Sequence, residues 1–327
     1  MGFLLSLEVL LSKPLSLIPL TNFLIPSADK TKRKDGISAV VCTRDEPWIE
    51  PCLLSIKDIA DEIILMDSSK ASIKDTIKKL QQKGLNIKYV RVKKNQGQTQ
   101  LVRAVSLSTR KWILKWDGDF IAYTSGKNNV NKLKKLTQNC NPKKYYGVLF
   151  NLANVDIDLF HTAYPPLHRE VYLFSYSNIL KKPKPFLNRI IIKFLFKIRG
   201  REPPRRPFLP LPLWYNKIVL NDVMAMHMQT VKSKERLLER PHMLEWNKAS
   251  QEFKKKYNCS FDTFFEHTKK SKKGEIFIEQ TQKNLRLFDR NKYNYPDILK
   301  KWIKDKLHTE IKQTKDFDKK LRNFLDK

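Results

Sequence analysis

Between residues 37 and 120 short apolar runs alternate with amphipathic stretches, and that alternation admits few architectures. Ile37–Thr43 (ISAVVCT), Glu62–Met66 (EIILM), Asn86–Val92 (NIKYVRV) and Trp112–Trp116 read as strands, rich in β-branched and aromatic residues. The intervening stretches, Pro47 to about Ile59, Ile73–Lys83 and Gln96–Thr109, read as helices. Pro47 suits a first helical turn and Gly84 a helix end. The expected fold is α/β, a mostly parallel sheet flanked by helices. In such sheets ligands bind beyond the carboxyl ends of the strands. Thr43–Glu46, Asp67–Ser69 and Asp117–Asp119 sit at such ends, so three polar loops are expected to face one crevice.

The last of these loops follows the run KWILKWDGDF, Lys111–Phe120. Gly118 permits a tight bend and a close backbone approach. Asp117 and Asp119 can converge on a hard cation, which can in turn clamp a diphosphate. Taken alone, an Asp-x-Asp is more often a solvated loop; the strand before it and the loops upstream favour the site.

Charge narrows the partners. The 327 residues hold 64 Lys+Arg against 33 Asp+Glu, a formal net charge of +31, which calls for an anionic partner: nucleic acid, acidic lipid or a phosphorylated substrate. The hydrophobic share of 41% is enough to build a core. Cys42, Cys52, Cys140 and Cys259 match no zinc or redox spacing, and a reducing, cytoplasmic setting fits them. Met1–Pro26 is apolar but interrupted by Glu8, Lys13, Pro14, Pro19 and Pro26, so it reads as an interfacial or packed segment rather than a spanning helix. A charged linker, Asp29–Asp35, follows.

The pattern of motifs resembles family 2 glycosyltransferases with the GT-A fold. That pattern has a strand followed by Thr-Arg-Asn-Glu, then Asp-Glu-Ile and an Asp-Ser strand end, a helix carrying Arg, and Trp-hydrophobic-Leu-x-x-Asp-x-Asp. The chain has Thr43-Arg44-Asp45-Glu46, then Asp61-Glu62-Ile63 running to Asp67-Ser68, then Arg103, then Trp112-Ile113-Leu114 with Asp117-Gly118-Asp119. It departs at Asp45, where Asn is usual, and at Gly118, where Ala is usual. The likeness covers about residues 37–125 and extends more weakly to about 246.

The resemblance implies a nucleotide-sugar donor held by Thr43, Arg44, Glu46 and Asp67, with Arg103 near its diphosphate. It implies Asp117 on ribose or metal and Asp119 as principal ligand of Mn2+ or Mg2+. His227, followed by Lys232, Lys234, Arg236 and Arg240 and then Trp246, resembles the late His that reaches metal or diphosphate. Glu170, just before the expected strand Val171–Phe174, takes the place of the base that deprotonates the acceptor hydroxyl, with Asp156 and Asp158 as rivals.

Further strands are expected at Tyr145–Leu152 and Leu220–Met228, and a helix at Leu237–Tyr257 broken at Pro241. Residues 178–212 form a basic insertion in which Lys181 to Arg206 alternate with Phe and Ile, a composition suited to an anionic membrane surface. The expected organisation is an N-terminal segment and linker (1–35), a GT-A domain (36–260) and a Lys-rich helical region (261–327). The expected activity is metal-dependent transfer of a sugar, with inversion, to a hydroxyl of a lipid-linked or cell-surface glycan, at the cytoplasmic face of a membrane. Two rivals remain. A nucleotidyltransferase would need a Gly-rich phosphate loop after the first strand, which Thr43–Pro47 lacks. A non-catalytic nucleic-acid binder would explain the charge, but no RNA-binding signature is present.

Overall fold

The computed structural model describes residues 32–306 apart from 93–97, 143, 164–165, 178–179, 181–210, 212–214, 233, 250, 259 and 290–291. The apolar N-terminal segment, nearly all of the basic insertion 178–212, Cys259 and the tail beyond residue 306 lie outside the described residues.

The sheet begins with β1 (Lys34–Thr43), β2 (Glu62–Asp67), β3 (Ile87–Arg91) and β4 (Arg110–Asp117), linked by α1 (Ile49–Ser55), α2 (Lys74–Gln82) and α3 (Gln98–Leu107). These strands lie parallel in the order β3-β2-β1-β4. Both faces are covered, which is why their sequences are continuous apolar runs rather than alternating ones. Val40, Ile64 and Ile113 pack with Leu101, Ala104 and Val105 of α3. Val41, Leu65, Leu114 and Trp116 pack with Cys52 and Leu53 of α1 and Ile77 and Leu80 of α2. Gly84 ends α2 at φ +87, with its N–H donated to Gln81 O and that of Leu85 to Leu80 O, so the left-handed residue closes a Schellman turn.

The chain steps outward from β1 to β3, then returns to lay β4 on the other side of β1. That reversal creates a switch point between β1 and β4, the place where open α/β sheets take ligands. The sheet continues through β5 (Phe120–Ala122), β6 (Tyr146–Asn154), β8 (Leu167–Ser175) and β9 (Asn216–His227) to eight strands, in the order β4-β8-β6-β9-β5. β8 runs antiparallel to β4, pairing Trp112 with Ser175 and Leu114 with Leu173. β8 begins at Leu167, so Glu170 lies inside the strand rather than before it. β5 and the helix α4 (Lys132–Asn139) have no counterpart in the sequence reading; three residues are too few to display a period.

The chain packs as two units. The first comprises the described residues up to Leu152 with Arg169–Ala225; the second comprises Ala153–His168 with the residues from Met226. The expected transferase domain, 36–260, takes in residues of both units. The second unit holds β7 (His161–Ala163) paired antiparallel with β10 (Leu285–Leu287), and α5 (Lys234–Lys248), α6 (Gln251–Lys255), α7 (Phe261–Thr268), α8 (Lys273–Lys283) and α9 (Asp297–Lys306). α5, α6 and α7 gather around Trp246, Phe253, Tyr257, Phe261 and Phe264. Pro241 falls inside α5, so the helix continues across the expected break. Among the described residues no helix is long and apolar enough to cross a membrane.

Candidate active site

Parallel register brings the expected residues together at one edge. Thr43 is paired with Asp67, and Cys42 with Asp117, so three strands end in polar side chains on either side of the switch point. β1 and β4 are tied there by Gly118 N–H donating to Cys42 O at 3.1 Å, and β1 and β2 by Ser68 N–H donating to Thr43 O at 3.0 Å.

Asp67 is fully buried. Its Oδ1 accepts from Ser69 N–H at 2.8 Å; its Oδ2 accepts from Tyr89 Oη at 2.7 Å and Arg91 Nη1 at 2.6 Å. Burial alone would raise its pKa, but the hydrogen bonds from Ser69, Tyr89 and Arg91 outweigh it and hold the carboxyl below its ordinary value. Asp67 is therefore an anion built into the sheet edge. Thr43 is also buried, and its hydroxyl has no hydrogen-bond partner. Buried hydroxyls are rarely left so.

Asp119 is buried and Asp117 half-buried, with Gly118 between them lying hard against Thr43. A Cβ at Gly118 would stand 2.7 Å from Thr43 Oγ1 and 2.9 Å from its Cβ. Close approach, rather than a left-handed backbone, is thus what the glycine provides. Cys52 Sγ donates to Asp117 O at 3.5 Å. Burial first, and the fields of Asp119 and Asp117 next, push the Cys52 thiol well up. Burial and Asp117 push Cys42 up to about 12, so both stay neutral thiols unsuited to nucleophilic work.

Across β4 and β8, Glu170 Oε2 accepts from Lys115 Nζ at 3.0 Å, both side chains being largely shielded from solvent. Burial would lower the pKa of Lys115, but Asp117 and Glu170 raise it further, so it stays cationic. Its Nζ lies 5.7 Å from the centre of the Tyr172 ring. Tyr172 is buried, packed on Phe150 and Phe120, and its hydroxyl has no hydrogen-bond partner. Burial, then Glu170, Asp117 and Asp119, push its phenol well above the ordinary value.

The remaining expected residues are placed differently. Arg44 is buried, its Nε 3.8 Å from Asp45 Oδ2, and Glu46 is half-buried. Arg103 is exposed on α3. In the second unit Asp156 is buried, its Oδ1 accepting from Thr230 Oγ1 and its Oδ2 from Ala163 N–H, each at 2.9 Å. Asp158 Oδ1 lies 2.8 Å from His161 Nδ1 and accepts from Phe160 N–H at 2.8 Å. His227, also in the second unit, has Nδ1 at 3.1 Å from Asn154 Oδ1.

Residues 38–181 match the family model described as glycosyl transferase family 2. Over those residues the chain is similar to that family. No curated protein sequence matches it. Among solved structures it is similar to S. aureus TarS, with 18% identity, a TM-score of 0.37 and 66% of this chain covering 40% of that one. It is similar to residues 1–349 of S. aureus TarS in complex with UDP-GlcNAc, with 17% identity, a TM-score of 0.38 and coverage of 72% and 74%. It is also similar to the inositol-1-phosphate CTP transferase from T. maritima, with 10% identity, a TM-score of 0.39 and coverage of 61% and 91%. The chain thus spans 40% of the length of the first TarS chain. The eight-stranded sheet is of the GT-A type.

The two departures from the family pattern have physical reasons. Asp45 sits at φ 50, in the left-handed region that Asn and Asp tolerate best, so either suits the backbone. Its N–H donates to Ser69 Oγ at 2.7 Å and its Oδ1 accepts from Lys70 N–H at 2.6 Å, tying the β1 loop to the β2 loop. Gly118 replaces Ala where Thr43 leaves no room for a methyl group. Lys115 and Tyr172 were not singled out in the sequence. A signal existed for Lys115: a cation in an otherwise apolar buried strand needs a partner.

Proposed function

We propose that the glycosyltransferase moves a sugar from a nucleotide-sugar donor to a hydroxyl of a lipid-linked or cell-surface glycan, with inversion and with help from Mn2+ or Mg2+. The observation that carries this reading is the register that sets Thr43, Asp67 and Asp117 side by side at the switch point, with Asp119 two residues on. The unpartnered Thr43 hydroxyl suits a nucleoside, which offers both donors and acceptors. Arg103, exposed on α3, is the proposed diphosphate contact.

The residues fit a divalent cation of the kind that relies on substrate. Among the described residues no three His, Cys, Asp or Glu side chains converge on one point. Mg2+ commonly takes one or two carboxylates and completes its shell with phosphate oxygens and water. Asp119 and Asp117 would be those carboxylates, and the ion would offset charge on the departing diphosphate.

In the transfer, the acceptor oxygen forms a bond to the anomeric carbon as the bond from that carbon to the β-phosphate oxygen breaks. The bonding pair leaves with the nucleoside diphosphate. The acceptor's proton passes to the Glu170 carboxylate, and attack opposite the leaving group inverts the centre. Membrane attachment is proposed from residues 178–212, whose cations suit lipid phosphate.

Thermal melts with UDP-, GDP- and CDP-sugars, with and without Mn2+, test the reading. One class should raise the melting temperature only when the ion is present, because binding to the folded state alone adds stability. Asp119→Asn should abolish that rise. No rise with any of them would overturn the proposal.

A further inference from the structure

We infer that Lys115 is the positioning residue for Glu170, an inference that rests on the proposed role of Glu170 as acceptor base. The β4–β8 ladder pairs Trp112 with Ser175, Ile113 with Phe174 and Leu114 with Leu173. The next residue of β4 is Lys115, and past the ladder it is a side chain that links the strands, Lys115 Nζ to Glu170 Oε2 at 3.0 Å. A long, flexible ammonium is an odd choice at a shielded strand position unless it holds an anion there.

The surroundings explain why a cation is needed. Lys115 and Glu170 are both largely shielded from solvent, where a carboxylate without a cation would be costly. Taking the ammonium away from a shielded carboxylate favours turning that carboxylate toward solvent. Lys115 Nζ meets the Glu170 carboxylate at 3.0 Å and sits over the Tyr172 ring, so its charge is held in place beside Glu170. It pins one oxygen of Glu170 and leaves the proton transfer itself to the carboxylate. Lys115 loses no proton in the cycle; it acts by holding geometry.

The test compares wild type, Lys115→Met, Lys115→Arg, Glu170→Gln and the Lys115→Met/Glu170→Gln double variant. The probes are UDP-glucose, UDP-N-acetylglucosamine and GDP-mannose with Mn2+, and the readout is nucleoside diphosphate released with water as acceptor. Lys115→Met should lower kcat about 10- to 100-fold while changing donor KM less than about threefold, the mark of an interaction that matters in the transition state. Lys115→Arg should recover most of the lost rate. In the Glu170→Gln background Lys115→Met should add little, because residues that act as a unit are not additive. The double variant also keeps the test open if Lys115→Met folds poorly, since it removes both charges together.

A rise in donor KM with kcat unchanged would assign Lys115 to donor binding and overturn the inference. So would losses that multiply in the double variant. A Glu170→Gln enzyme at full rate would sink the base assignment itself, a different failure with its own signature.

Discussion

The sheet edge around Asp117 and the turn Asp156–His161 both bring acids to the ends of strands, yet they use them differently. In the turn every placed acid serves the fold. Asp156 gathers Thr230 and Ala163, and Asp158 gathers His161 and Phe160. Between them Ile157 stands at φ 68, a conformation that costs a β-branched residue free energy and persists only where neighbours enforce it. At the sheet edge the polar groups are arranged against one another. Lys115 is paired with Glu170 across β4 and β8, and the hydroxyls of Thr43 and Tyr172 lack partners. A satisfied buried network rigidifies, whereas an unsatisfied one is what a ligand completes. Acid count alone does not separate the regions; the destination of each hydrogen bond does.

The strongest way to break this contrast is to exchange the roles of Glu170 and Asp156. Glu170→Gln should cut transfer by about 10²- to 10⁴-fold, the usual worth of a positioned general base. It should leave the nucleotide-induced rise in melting temperature intact. Asp156→Ala should leave Thr230 Oγ1 and Ala163 N–H without their acceptor and cost about 2–4 kcal/mol of stability. Its folded fraction should turn over at the wild-type rate. If instead Asp156→Ala folds normally and transfers nothing, the base belongs to the second unit and the contrast is reversed.

The parallel half of the fold was legible because each strand is buried on both faces, so Ile37–Thr43 and Glu62–Met66 announce themselves as apolar runs. Beyond Phe120 the same logic finds the apolar run of β6 and parts of β8 and β9, but not the short strands or the strand starts. β5 and β7 are three residues each, too short to carry a period, and β8 begins with the mixed residues Leu167–Glu170. The site was legible as far as strand ends could be read, which gave Thr43, Asp67 and Asp117. Tyr172 and Lys115 were hidden because their importance arises from β8 lying beside β4, a pairing between residues far apart in sequence. The partners of Asp67 were hidden for the same reason, since Tyr89 and Arg91 come from β3.

Thr43→Val sharpens the contrast with a smaller effect. The side chain keeps its shape and loses only a hydroxyl that has no internal partner. Stability should stay level or rise by up to about 1 kcal/mol, because an unsatisfied buried group is removed. Nucleotide affinity should fall about tenfold, equivalent to about 1.4 kcal/mol. Opposite signs in melting temperature and in dissociation constant are the outcome to look for in calorimetry. A loss of stability without a loss of affinity would mean that the hydroxyl serves the fold.

The gentlest probe is acid, which should reach the two units at different pH. In the second unit His242 is buried against Phe264 and Phe265, with Thr268 Oγ1 at 2.9 Å from its Nδ1. Burial, then Lys273, hold its pKa below the ordinary 6.5, while Glu245 opposes them. The unfolded chain therefore binds the proton more readily, so stability is complete above about pH 6.5 and falls as pH drops toward the lower folded value. Asp67 in the first unit also has a depressed pKa, below its ordinary 3.8, because its hydrogen bonds outweigh burial. Its contribution is complete above that value and is lost only as pH falls through the lower folded one. Melting temperatures between pH 7.5 and 5 should fall by about 2–4 °C in wild type, and by less in His242→Gln, whose side chain does not titrate. Asp67→Asn should lower the melting temperature throughout the range above pH 4, leaving the slope there unchanged, and flatten the curve only below pH 4. If His242→Gln keeps the full slope above pH 5, the acid sensitivity arises elsewhere, and the packing of α5 against α7 is indifferent to the charge of that ring.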